Sequence, residues 1–330
     1  MEELMARDAL VVDNTILSDV PCSTKAAMRH VLGLTSGTES KELRCWQAVH
    51  EALAWWLCGQ GVTAALARFE YSYRAWAEAH VPPDDARAYA TVSRVLQHWF
   101  RQHPPERWPF VVAAKDVERP LSAELMTLPS GQDVLMVALL DALGRVRTGG
   151  WWSIDHKTAG WTGDRFQWRQ EDSSQFTGQL WLAQQNPDLP PLGGVYINAI
   201  HLKRPPSSDY RCATHKTPYK ECGMQHLEHM LFPVTRTQHE VETWAVTARR
   251  LVRRLLNLRE TVREPKDVRA LPMEGRFIGM CGFCEFRDWC RQGRPAGAVR
   301  TFTEERWNPL EHAARHTVAI AAARPDVENT

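Results

Sequence analysis

No apolar run in this chain approaches the length of a membrane span, and its opening, MEELMARDAL, lacks the basic and apolar regions of a secretory signal. Those absences argue for a soluble, cytoplasmic protein with no membrane partner. There is also no surplus of one charge. With 40 Lys+Arg against 39 Asp+Glu, no global basic field draws in nucleic acid, and any DNA contact has to come from a local groove. Internal repeats, low-complexity tracts and helicase motifs are missing as well, which excludes a solenoid or a self-contained motor. What remains is a chain of 330 residues, 44% hydrophobic, able to fill one large core. Its eight cysteines, in a reducing compartment, read as metal ligands or small core residues rather than disulfides.

Periodicity divides the chain. In SKELRCWQAVHEALAWWLCGQG, Trp46, Val49, Leu53, Trp56 and Leu57 recur at helical spacing, and Gly59 to Gly61 stop the pattern. A helical region from about 23 to 102 ends at HPPERWP. From Phe110 the texture turns to strands: FVVAAKDVERPLSAELMTL, a turn at PSGQ, DVLMVALLDAL, a turn at Gly149-Gly150, then WWSIDHKT. A helix over SSQFTGQLWLAQQN and a strand over LGGVYINAIHL complete a sheet core of about 110–202. A polar insertion at about 203–230 precedes a long helix at about 239–263, with Trp244, Ala248, Leu251, Leu255 and Leu258 on one stripe. The order argues one α/β domain over 1–292, a central mixed sheet flanked by helices, followed by a tail over 293–330.

Chemistry concentrates in VALLDALGRVRTGGWWSIDHKTAG. Asp155 and Lys157 are two apart on a strand and leave the same face. Asp141 ends the preceding strand, and the Gly149-Gly150 turn would bring it beside Asp155. Two carboxylates in one cleft repel unless a cation lies between them, and oxygen ligands suit Mg²⁺ or Mn²⁺. A nearby lysine can orient a water and stabilise charge on a phosphate. Alone, Asp-x-Lys on a strand reads first as a surface salt bridge.

The series around it resembles the PD-(D/E)XK nuclease superfamily, in particular its RecB-like branch with an iron–sulfur cluster. In order come His50 on a helix, Glu118 on a strand, Asp141 after ALL, Asp155-His156-Lys157-Thr158, and Gln175 opening QFTGQLW. Two positions depart from the branch: Ala138 replaces a Gly before Asp141, and Gln179 replaces the Tyr of Gln-x-x-x-Tyr. The resemblance implies a restriction-endonuclease-like core in which His50, Asp141, Asp155 and the backbone carbonyl of His156 bind the divalent metal. Lys157 would position the attacking water and Gln175 would hold Lys157 or the phosphate. Glu118 would be a further ligand, or an edge-strand charge.

Near the end, MCGFCEFRDWCRQG carries Cys281, Cys284 and Cys290 at C-x2-C-x5-C, three ligands of a site that needs four. Spacing alone leaves zinc and iron–sulfur equal. The resemblance implies a [4Fe–4S] cluster closed by Cys22, clamping the two ends of the domain together. Cys45 and Cys58 read as core residues. Cys212, His215, Cys222, His226 and His229 are ligand types in the insertion, with a solvated loop as the plainer reading.

For nucleic acid, Arg249, Arg250, Arg253 and Arg254 would build a basic ridge on the long helix, or simply a solvated face. Gln179 would contact DNA from its helix. Trp151, Trp152 and Trp161 are stacking candidates, though tryptophans are more often core. The expected function is a DNA exonuclease on single strands or ends, similar to stand-alone enzymes of phages and of CRISPR adaptation, with recombination or adaptation partners. A non-catalytic cluster-bearing DNA-binding subunit and a zinc-stapled endonuclease are the alternatives.

Overall fold

The computed structural model describes residues 9–37, 40–160, 163–202, 216, 229–321 and 323. Strand β1 (Leu10–Val12) leads into the short helices α1 (Asn14–Asp19) and α2 (Ser23–Ala26). After β2 (Leu34–Thr35) come three long helices, α3 (Lys41–Leu57), α4 (Gly61–His80) and α5 (Tyr89–Gln102). The strands β3 (Phe110–Thr127), β4 (Asp133–Val146) and β5 (Trp151–Ala159) follow, then α6 (Asp164–Glu171) and α7 (Ser174–Gln185). The remainder comprises β6 (Leu192–His201), β7 (His229–Val234), α8 (Gln238–Thr261), α9 (Pro265–Val268), α10 (Arg287–Arg291), β8 (Thr303–Glu304) and α11 (Pro309–Ala321).

The architecture is α/β, with a six-stranded mixed sheet in the order β1-β4-β5-β6-β7 and β3 paired to the other side of β4. The meander β3-β4-β5 is antiparallel, β6 joins β5 in parallel, and β1 lies parallel to the first half of β4. The β4–β5 connection closes because Gly149 and Gly150 take φ of 116° and 82°, a left-handed region open to glycine at little cost. One apolar core lies where α7 and α8 meet the sheet, gathering Phe176, Leu182, Val252 and Leu255 with Val134 and Leu140. The second lies under α3, α4 and α5, around Leu53, Phe69, Trp99 and Trp108. Burying aliphatic side chains on both faces supplies the main driving force, roughly 25 cal/mol per Å² of apolar area.

Three expectations change. Asp141 is interior to β4, not its end. The last residues assigned to the insertion begin β7 at His229; of its Cys/His ligand candidates, the others lie outside the described residues, as does Trp161. The segment read as a tail folds back: β8 pairs with β2, and α11 packs on β3, β4 and α3. Leu310 and Ala313, 7% and 6% exposed, give that helix its buried side.

Candidate metal centre

The site forms where the β4–β5 ladder stops. The last pair is Ala142↔Ile154; beyond it the strands part and β1 takes the vacated edge of β4. At this fork the burial phase of β4 flips: Leu140 and Leu143 enter one core while Ala142 enters the other. Asp141 lies at the flip, so its carboxylate emerges into the fork. Across β4, the pairs Val117↔Ala142 and Arg119↔Leu140 put Glu118 opposite Asp141, next to a register shift in β3. Glu118 has φ of 46°, a conformation costing a non-glycine residue about 1–2 kcal/mol, of the kind that collects at functional sites.

The His156 peptide, without a ladder partner on β4, is taken by side chains instead. Its N–H donates to Asp141 Oδ2 at 2.6 Å, and its carbonyl oxygen lies 2.8 Å from His50 Nε2. The other ring nitrogen of His50, Nδ1, is 3.3 Å from Asp141 Oδ2. Both imidazole nitrogens thus face oxygens, yet a neutral imidazole has only one N–H to give. A cation beside Nδ1 would resolve the mismatch. Donor atoms of His50, Glu118 and Asp141 all lie within 4.8 Å of one another, among the described residues the one His/Cys/Asp/Glu group gathered this closely. Trp46, with its ring 4.2 Å from that of His50, holds the imidazole from behind.

Asp155 lies outside this close group but is near enough to feel the charges of Asp141 and His50. Its Oδ1 accepts from Gln175 Nε2 at 3.1 Å, and Lys157 Nζ lies 2.6 Å from Oδ2 and donates to Gln175 Oε1 at 3.3 Å. The Lys157–Asp155 approach is an ion pair without hydrogen-bond alignment, and Oδ2 is buried with no aligned donor. The Lys157 ammonium offsets the cost of burying that oxygen. Burial pushes the Asp155 carboxyl up, with Lys157 opposing and the Asp141 charge reinforcing. Burial would raise Asp141 as well, but the adjoining His50 outweighs it and holds the carboxyl well below the usual range. Two acids a strand apart are driven in opposite directions by their surroundings, a pattern typical of catalytic sites. With an imidazole, carboxylates and a peptide oxygen, the donor set fits a hard divalent cation.

Sequence reasoning missed neighbours on both sides. His316, on α11, brings Nδ1 to 3.9 Å from Glu118 Oε2, and its ring stacks edge-on against His312. Their four-residue spacing was a visible signal, lost because the segment was read as a tail. Behind the strand, the His156 ring is 2.7 Å from Asn198, whose amide oxygen is 2.5 Å from His229, itself 3.0 Å from His103. Burial pushes His156 down to about 3 and His229 to about 4.

The other expected residues fall into place differently. Cys22, Cys281, Cys284 and Cys290 line one narrow cavity, and a Cβ added to Gly275 would come 3.1 Å from Cys22 Sγ. Gln179 is buried, 3% exposed, with its amide oxygen toward Ser153, so it presents nothing to a strand at the surface. Of the arginine ridge, Arg249 donates to the Leu125 carbonyl at 2.8 Å and Arg254 bonds Ser23 and Glu274. Arg250 and Arg253 stay exposed. Trp152 packs against Tyr196 and over Gly193 and Gly194, a core contact. Cys45 and Cys58 are buried, as expected of core residues.

A family model described as the PD-(D/E)XK nuclease superfamily matches residues 20–291. The chain therefore belongs to the PD-(D/E)XK nuclease superfamily, a class of metal-dependent nucleases, and carries a candidate His/Glu/Asp metal site. No curated protein matches the sequence. A solved structure titled "Crystal structure of SSO0001" aligns with 88% of this chain and 91% of that one, at 12% identity and a TM-score of 0.35. That similarity is too low to bear on the fold. Among the described residues no helix is long and apolar enough to cross a membrane.

Proposed function

We propose that the fork is the active centre of a DNA nuclease of the RecB-like branch, acting on single-stranded DNA or DNA ends. The observation that carries this is the fork itself: His50, Glu118 and Asp141 converge within 4.8 Å, and Asp155 presents a buried oxygen without an aligned donor. His50, Glu118, Asp141, Asp155 and the His156 carbonyl would hold Mg²⁺ or Mn²⁺. When bound, the ion supplies Lewis acidity toward phosphorus and a more acidic water. Lys157, held between Asp155 and Gln175, keeps its ammonium aimed into the site, where it orients the attacking water and offsets charge on the phosphate. Gln175 fixes both partners at once, so neither rotates when the phosphate arrives.

Depth supports the single-strand preference. The side chains of His50, Asp141, Asp155 and Glu118 are 3%, 12%, 2% and 4% exposed. A phosphodiester reaches such a recess on one slim strand more readily than on an intact duplex. A labelled single-stranded oligonucleotide with Mn²⁺ tests the reading, beside Asp155→Asn. Cleavage by the wild type alone supports it, and a wild type that binds but never cuts leaves a DNA-binding subunit instead. Blocking either end then separates exonuclease from endonuclease.

The cysteine cavity would hold a [4Fe–4S] cluster, a staple between the first and last parts of the domain. Support comes from the shared lining by Cys22, Cys281, Cys284 and Cys290. Anaerobic purification should give a brown protein with iron and acid-labile sulfide. A colourless protein carrying only zinc contradicts the assignment. Partners, whether of recombination or of CRISPR adaptation, are testable by co-purification.

A further inference from the structure

Away from the fork, the turn after α2, the end of α8 and the strand before α11 enclose an open cavity of about 670 Å³. That is the size range of small-ligand sites, about 300–1,000 Å³. Its lining is unusually one-sided: Arg29, Arg259, Arg263 and Arg306 against Glu304 as the one carboxylate, with Trp307 at the wall. Arg29 is neutralised by Asp19, and its guanidinium lies 6.0 Å over the Trp307 ring. Among the described residues, no carboxylate pairs with Arg259, Arg263 or Arg306. Burial and the neighbouring Arg306 charge both push the Arg259 guanidinium down from its ordinary value. Like charges crowded into a concavity cost free energy, and an anion between them would offset it.

Packed side chains join the cavity wall to the fork. Trp307, fixed by its indole N–H donating to Asp13 at 2.9 Å, has its ring 4.8 Å from that of His312. His312 lies 4.6 Å from His316, which faces Glu118 of the fork. A row of rings on α11 and the segment before it therefore runs from the arginines to the metal centre.

We propose that the arginine cavity is a phosphate-binding site, occupied by a backbone phosphate of a single strand whose scissile phosphodiester enters the fork. The strand identity rests on the nuclease reading; the phosphate site does not. None of the four arginines belongs to the fork, so affinity and cleavage can be separated.

The test measures anisotropy of a fluorescein-labelled single-stranded oligonucleotide on the full chain in EDTA, where no cutting occurs. Arg259→Gln/Arg306→Gln should weaken binding at least about tenfold and flatten the salt dependence by about one unit, as expected for lost phosphate contacts. Arg259→Lys/Arg306→Lys should retain most of the affinity, showing that charge rather than folding is at stake. Arg263→Gln, at an exposed position, gives a smaller loss in the same direction even if the double variant does not fold. A parallel calorimetric arm uses a nucleoside monophosphate. If the Gln variant loses that ligand while holding the oligonucleotide as the wild type does, the phosphate site stands and its occupant is a free nucleotide. If neither ligand is affected in any variant, the proposal is overturned. A wild type that binds the strand through these arginines yet never cuts would refute the nuclease reading and leave the cavity standing.

Discussion

Two polar clusters in this molecule solve the burial of charge in opposite ways. At the fork, Asp141, Glu118 and His50 crowd together with mismatched donors, and Asp155 is buried beside them. At the junction of the domain's first and last parts, Arg254 and Glu274 are paired within the protein. Ser23 donates from N and Oγ to Glu274, Arg254 bonds both, and Thr24 Oγ1 donates to the Pro272 carbonyl. Arg294 caps three carbonyls, those of Val268, Arg269 and Leu271. The Ser23–Arg254–Glu274 network is satisfied by protein partners, whereas the fork gathers an imidazole and carboxylates suited to a cation. Self-satisfied polar networks hold structure; deliberately unsatisfied ones do chemistry.

That contrast can be broken by substitution. The largest effect is expected from Asp155→Asn, which should cost about 10³-fold in cleavage, several kcal/mol of transition-state stabilisation. Its metal-free thermal stability should hold or rise, because a buried carboxyl with a raised pKa beside Asp141 is neutralised. Single-turnover cleavage and a melting curve read the two sides together. A variant losing both equally would mean that Asp155 is structural.

Acid should expose the buried imidazoles next. His156 titrates at about 3 in the folded chain against an ordinary 6.5. As pH falls below 6.5 the unfolded chain takes up a proton that the folded chain refuses until about 3, so stability drops across that window. At pH 5 the cost from His156 is on the order of 2 kcal/mol. His229, down at about 4, acts with the same sign. Asp141 also loses stability in acid, but only below the ordinary carboxylate value of 3.8. Urea midpoints at pH 7 and 5 should differ by less in His156→Gln than in the wild type.

The junction should show the reverse of the fork. Glu274→Ala removes the acceptor for Ser23 and Arg254 and should cost roughly 1–2 kcal/mol, since both Arg254 and Glu274 are partly solvated. Cleavage per folded molecule should stay near wild type. Smallest of all, Arg74→Ala cuts exposed, solvent-screened ties to Glu70 and Glu78 and should leave the denaturant midpoint essentially unchanged. If Arg74→Ala and Glu274→Ala prove equal, the junction is no more than a surface.

Much of the fork was legible before any coordinates. Asp155 and Lys157 share a face because strands have a period of two, and the Gly149-Gly150 turn made the β4–β5 hairpin readable. The long helices followed from apolar spacing: α3 spans Lys41–Leu57 and α8 spans Gln238–Thr261. Glu118 was harder, because its place opposite Asp141 depends on a register shift and a positive φ that no local pattern announces. The same limit hid the fates of Arg249 and Arg254: an arginine on a helix looks alike whether it meets water or a carbonyl 124 residues away. His316 was missed for the opposite reason, since a helix of modest apolarity acquires its meaning only from what it packs against.

The central claim is that the fork gathers a divalent ion around Asp141 and Asp155 to cut a DNA strand. Its most direct test is Mn²⁺-dependent cleavage of a labelled single-stranded oligonucleotide by anaerobically purified wild type and Asp155→Asn under identical conditions. The account predicts metal-dependent products from the wild type and essentially none from the variant at equal DNA affinity. Equal cleavage by both proteins, or none by a wild type that binds the strand, would contradict it.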